Sequence, residues 1–134
     1  MKYLFLFLLT TLIFFAIDMI WLGLIARNFY REKLNFIFTG EVNWAAAVIF
    51  YFIYIIGILY FVVVPGFGHH DWKTVLLNGA ALGFLCYATY DLTNMATIKQ
   101  WPLMIVLVDI AWGTFLTGSV AVLSYLTALK LLDF

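Results

Sequence analysis

The chain has 134 residues, of which 66% are apolar and only 10% charged, so an ordinary water-soluble globule is excluded. Seven basic residues balance seven acidic ones, which leaves no basic field to hold nucleic acid. The single cysteine, Cys86, cannot close an internal disulfide or build a Cys-rich metal site.

Four stretches are long enough to cross a hydrocarbon core, which takes about 20 residues of helix. The first covers about 3–26, starting just after Lys2 and ending at the charged cluster Arg27, Arg31, Glu32, Lys33. It is longer than the apolar core of a secretory signal and no pair of small residues spaced for cleavage follows, so it reads as a retained span. Residues 27–43 mix those charges with Phe29, Tyr30, Leu34, Phe36, Ile37 and Phe38, the pattern of a helix lying at the membrane interface. The second span, about 44–64, holds no charge and is expected to stop at Pro65, Gly66 and Gly68.

The third span covers about 74–98 and the fourth about 102–129, opening at Pro102. Only Lys99 to Trp101 separate them, which predicts an antiparallel hairpin. The fold class is therefore all-α: a single four-helix transmembrane domain, packed as an antiparallel bundle with an interfacial segment between the first two helices. Trp44, Trp72 and Trp101 stand at span ends, as in an interfacial aromatic belt. Lys2, Lys73 and Lys130 fall on one side against Arg27, Arg31, Lys33 and Lys99 on the other. That margin favours termini facing away from the cytoplasm by one charge and leaves both orientations open.

The basic residues lie outside the spans or at their ends, whereas Asp18, Asp91 and Asp109 lie within them. An ionised Asp at mid-bilayer costs about 2.5–3.5 kcal/mol on an insertion scale, so these side chains must turn inward. At 100° per residue, Tyr87, Asp91 and Asn94 share one arc of helix three. Trp21 and Trp112 each follow an Asp by three residues and are expected to offer it an indole N–H. Asp18-Met-Ile-Trp21 in helix one is echoed by Asp109-Ile-Ala-Trp112 in helix four. The candidate ligand or proton site is thus Asp91, Asn94, Tyr87, Asp18, Asp109, Trp21 and Trp112. The competing structural reading is polar glue between helices, and it weighs most for Asp18 and Asp109, which lie nearer helix ends.

Gly79 and Gly83, continued by Cys86 and Tyr90, form one small-residue stripe; Gly113, Thr117 and Ala121 form another. These faces fit each other within one chain or serve a homodimer. Phe50, Tyr51 and Tyr54 read as packing aromatics, with a hydroxyl available to the polar site. His69, His70 and Asp71 do not make a metal site by spacing, and no span contains a histidine, so no metal or cofactor is expected.

Taken together, Asp18-Met-Ile-Trp21-Leu-Gly23, Phe50-Tyr51, Tyr87-Ala-Thr-Tyr-Asp91-Leu-Thr-Asn94, Trp101-Pro102 and Asp109-Ile-Ala-Trp112-Gly113 resemble a bacterial family of small predicted membrane proteins, domain of unknown function number twenty-one seventy-seven. The resemblance covers nearly the whole chain and implies a four-helix build in the bacterial inner membrane, but no activity. Function is left to the residues. They suit a bundle with an intramembrane acidic site for a small polar or amphipathic ligand, with proton-linked transport as its use. The alternatives are a membrane enzyme acting on a lipid, with Asp91 as general acid or base, and a non-catalytic subunit of a larger membrane complex. The expected partners are membrane lipids and a second copy of the chain, with no nucleic acid.

Overall fold

The computed structural model describes residues 1–38 and 40–134. Every regular element in them is helical, and four helices are long and apolar enough to span a membrane: Lys2–Ile25, Trp44–His69, Trp72–Thr97 and Leu103–Leu131. The first is α1 (Lys2–Ile20) running into a π-helical turn at Trp21–Ile25, followed by the short α2 (Arg27–Lys33). The second joins α3 (Trp44–Ile58), a π-helical turn at Leu59–Val63 and α4 (Val64–His69). The last two are α5 (Trp72–Thr97) and α6 (Leu103–Leu131).

The second span does not stop at Pro65 but continues to His69. Proline has no N–H to give and its ring presses on the carbonyl four residues back, so a regular helix would be broken there. The π-helical turn immediately before it takes up that misfit. Gly66 then allows a close approach, since a Cβ there would run into the Val75 side chain, with the Tyr125 ring in contact beyond it. The helix ends at His70, in the left-handed region with φ 51°. Asp71 caps α5, accepting from the Lys73 amide at 3.1 Å and the Thr74 hydroxyl at 2.7 Å. Those hydrogen bonds, Thr74 first, hold its carboxyl below the ordinary value.

α5 and α6 form the expected hairpin, and their small-residue stripes meet each other within the chain. A Cβ on Gly79 would lie 2.8 Å from the Ala121 Cβ, and one on Gly83 would strike the Gly113 carbonyl. α6 is the central helix: 44% of its most apolar stretch is buried, against 22–28% in the other three. Leu6, Phe14, Ile55, Ile58, Val63, Leu116 and Val120 build the main core around it. The outward faces of the other helices are largely apolar, as a lipid solvent requires, and the exposed Thr89, Thr93 and Thr97 of α5 return their hydroxyls to carbonyls of their own helix.

A second, smaller cluster decides where the site lies. Leu34 packs on Trp101, Ile105 and Val106, with Phe29, Tyr30 and Ile98 around them. The interfacial segment is thereby pinned across the end of the α5–α6 hairpin. Trp101 is accordingly not a belt residue: it is 6% exposed and edge-on to Tyr90, whereas Trp44 and Trp72 are exposed as expected.

Candidate functional site

The three intramembrane aspartates end up at one end of the bundle. Asp91 stands six residues before the end of α5 and Asp109 six after the start of α6, about 9 Å of helix each. Asp18 lies seven residues before the end of its span, so its depth is similar. Asp91 is therefore no farther from its helix end than the other two, and all three stand toward one end of the spans.

The indoles do not serve the aspartates of their own helices. Trp112 of α6 donates to Asp18 Oδ1 of α1 at 3.4 Å. Trp21, at the end of the first span, donates to the Tyr30 hydroxyl at 3.2 Å, and that hydroxyl donates to Asp109 of α6. Each helix thus supplies the other's carboxyl, directly in one case and through Tyr30 in the other. Side chains on one helix lean toward its N-terminus, so a Trp three residues after an Asp covers the turn that carries it without aiming its N–H at it. A partner helix can aim it. The two indoles stack at 4.5 Å between centroids and 11° between planes, which fixes both donors.

Around this crossing lies an open cavity of about 980 Å³. Its inner wall carries Asp18, Asp109, Trp21, Trp112 and Tyr87, five of the residues expected from the sequence. Phe50 and Tyr51 of α3 and Tyr90 of α5 add aromatic surface, with Tyr51 beside Asp18. The outer rim comes from the segment after the first span: Arg27, Tyr30 and Arg31 of α2, then Leu34, Ile37, Phe38 and Glu41. Both arginine side chains are exposed. The Tyr30 hydroxyl, outside the spans, is pushed well above the ordinary tyrosine value by burial and then by the neighbouring Asp109 carboxylate, so it remains a donor.

Asp91 is separate from this wall. It is fully buried, with neither oxygen in a hydrogen bond, and it neighbours Asp109 and the Trp101 indole, whose N–H is also unpaired. Asn94 shares its arc on the helical wheel but is half-buried beside Tyr90 and does not reach the cavity. Tyr54 pairs with the Thr117 hydroxyl on α6 at 2.6 Å, off the cavity wall. Tyr30 and the two arginines are the functional candidates that sequence reasoning missed. Their signal was the row Ala26, Tyr30, Leu34, one face of a helix at i+4 spacing, which marks Tyr30 as inward-facing.

Among the described residues no group of three or more His, Cys, Asp or Glu side chains is arranged to hold a metal ion. Chemically the cavity offers carboxylates and aromatic faces within, guanidinium groups at the mouth, and an apolar margin. A family model described as a predicted membrane protein (DUF2177) matches residues 3–126. No curated protein and no solved structure matches the chain.

Proposed function

Because this chain belongs to the DUF2177 family of predicted membrane proteins, we propose that it is a membrane protein whose end-of-bundle cavity binds the polar part of an amphipathic ligand. The observation that carries the reading is the pairing of a 980 Å³ cavity with two carboxyls, Asp18 and Asp109, each held by an aromatic donor from another element. Carboxyls inside apolar spans are costly, and polar glue is satisfied by neutral amides and hydroxyls. An open cavity around them supplies what glue does not need, namely access.

Ligand transport linked to a proton is the use that suits this arrangement. The adjoining carboxyls of Asp91 and Asp109 repel each other when both are charged, so a proton or a cation between them relieves the pair. Tyr30, which donates to Asp109, lines the same cavity. A bundle this small has no second repeat to rock against, so transport would use two copies of the chain. The bacterial inner membrane is the location the motif resemblance implies.

Native mass spectrometry of protein released in mild detergent tests the binding reading. The wild type should carry an amphipathic molecule that is lost when Asp18→Asn and Asp109→Asn are combined. Identical bound species in both forms would remove it. A second reading, an enzyme acting on a lipid, draws on the Asp91–Asp109 pair as acid and base. It predicts changed membrane lipids in cells lacking the protein, which simple binding does not.

A further inference from the structure

Charge in the cavity differs with depth: carboxyls stand within, and at the rim two arginines outnumber the single carboxyl of Glu41. Asp18, only 5% exposed, and Asp109 stand on the spans. Arg27 and Arg31 stand on α2, outside the spans. A ligand with one sign of charge would meet its own sign at one of the two levels. A zwitterion meets an opposite charge at both.

The inner end specifies the cation further. Asp18 accepts from Trp112 with the Tyr51 hydroxyl beside it, and Asp109 accepts from Tyr30 with the Asp91 carboxyl beside it. A carboxylate has about four acceptor positions, so each keeps some capacity for donors brought by a ligand. A primary ammonium brings three N–H donors; a quaternary ammonium brings none and would leave those acceptors dry. Trp21, Tyr51 and Trp112 line the same cavity, and aromatic rings favour a cation of either kind. At the rim, two guanidinium groups match the oxygens of a phosphate diester or monoester, which Arg recognises through paired N–H donors.

We infer that the cavity takes a phosphoethanolamine group, its ammonium between Asp18 and Asp109 and its phosphate at Arg27 and Arg31. This rests on the binding reading above and names its ligand class. The group has two sources, the headgroup of a phospholipid or the free zwitterion. Exposed Leu22, Ile37 and Phe38 on the cavity margin give a lipid's chains an apolar exit.

The test uses the full-length protein in mild detergent, offered phosphatidylethanolamine, phosphatidylcholine and phosphatidylglycerol of matched chains, with bound lipid counted by native mass spectrometry. Phosphatidylethanolamine should be retained at least tenfold better than either of the others. Arg27→Gln combined with Arg31→Gln, both exposed and so harmless to folding, should cost tenfold or more, as should Asp18→Asn with Asp109→Asn. Competition by free phosphoethanolamine assigns the soluble source; its failure to compete with the lipid bound assigns the lipid. Equal retention of phosphatidylcholine overturns the primary-amine inference while cavity binding stands, and so does preference for phosphatidylglycerol. Unchanged retention in the arginine variant also overturns it. Binding of no lipid and no free zwitterion removes the binding reading itself.

Discussion

Trp21 and Trp112 lie face to face at 4.5 Å between ring centroids, one from the end of the first span and one from α6. Stacking at this distance adds about 0.5–1.5 kcal/mol beyond the area the rings bury. It also sets the direction of two N–H donors, one toward Asp18 and one toward Tyr30. The pair therefore couples the helix carrying one carboxyl to the helix carrying the other.

A double-mutant cycle on Trp21→Leu and Trp112→Leu should show that coupling. Each single change should lower resistance to unfolding by sodium dodecyl sulfate in mixed micelles. The double variant should lose less than the sum by about 0.5–1.5 kcal/mol. Strictly additive losses would mean that the stack contributes nothing of its own.

The glycines separate into two kinds with opposite expected effects. Gly83→Ala places a methyl against the Gly113 carbonyl and the Thr117 hydroxyl, forcing α5 and α6 apart. A cost of about 1–3 kcal/mol is expected. Gly57→Ala in α3 meets nothing within 4 Å and replaces a poor helix former with a good one. It should gain about 0.5–1 kcal/mol. Thermal unfolding of the two variants beside the wild type checks both signs at once.

The spans were legible because about 20 uninterrupted apolar residues have few other uses. That Asp18 and Asp109 turn inward was legible because ionisable groups in such stretches must do so, and Trp21, Trp112 and Tyr87 line the same cavity. Tyr30 was not, for its partner Asp109 lies 79 residues away. The contact exists only because Leu34 and Phe29 pack onto Ile105 and Val106, and no local period encodes that docking. Asn94 shares the arc of Asp91 but lies off the cavity wall. The helical wheel gives azimuth without depth, and Asn94 sits nearly one turn closer to the end of α5 than Asp91. The run past Pro65 was hidden because the π-helical turn that rescues it follows from packing, not from composition.

Alkaline pH should weaken the clamp between α2 and the hairpin. Burial, with Asp109 nearby, raises the Tyr30 hydroxyl above its ordinary value of 10.0. A group whose folded value is raised contributes in full below its unfolded value, and the contribution is lost as pH rises from there through the folded value. Stability should therefore fall above about pH 10, more steeply in the wild type than in Tyr30→Phe. At neutral pH the Phe variant should be weaker, because a hydrogen bond to a charged acceptor contributes about 1.5–3 kcal/mol. Unfolding midpoints between neutral pH and pH 11 or so measure both effects. Parallel curves for the two proteins would contradict the assignment.

Asp91 should behave unlike the cavity aspartates when its charge is removed. It is fully buried with both oxygens unpaired, and its neighbour is another carboxyl. In Asp91→Asn the shape is kept, the like-charge contact disappears, and the amide can donate to Asp109. An unsatisfied buried polar group costs about 1–3 kcal/mol, so the variant should resist heat or detergent at least as well as the wild type, with a gain up to that size. Asp18→Asn has no such relief to offer, since Asp18 already accepts from Trp112. If Asp91 serves a proton-linked step, the stabilised variant should also lose any pH dependence of ligand retention while still retaining ligand. A destabilised Asp91→Asn with unchanged pH dependence would show that the carboxyl is there to hold the hairpin together.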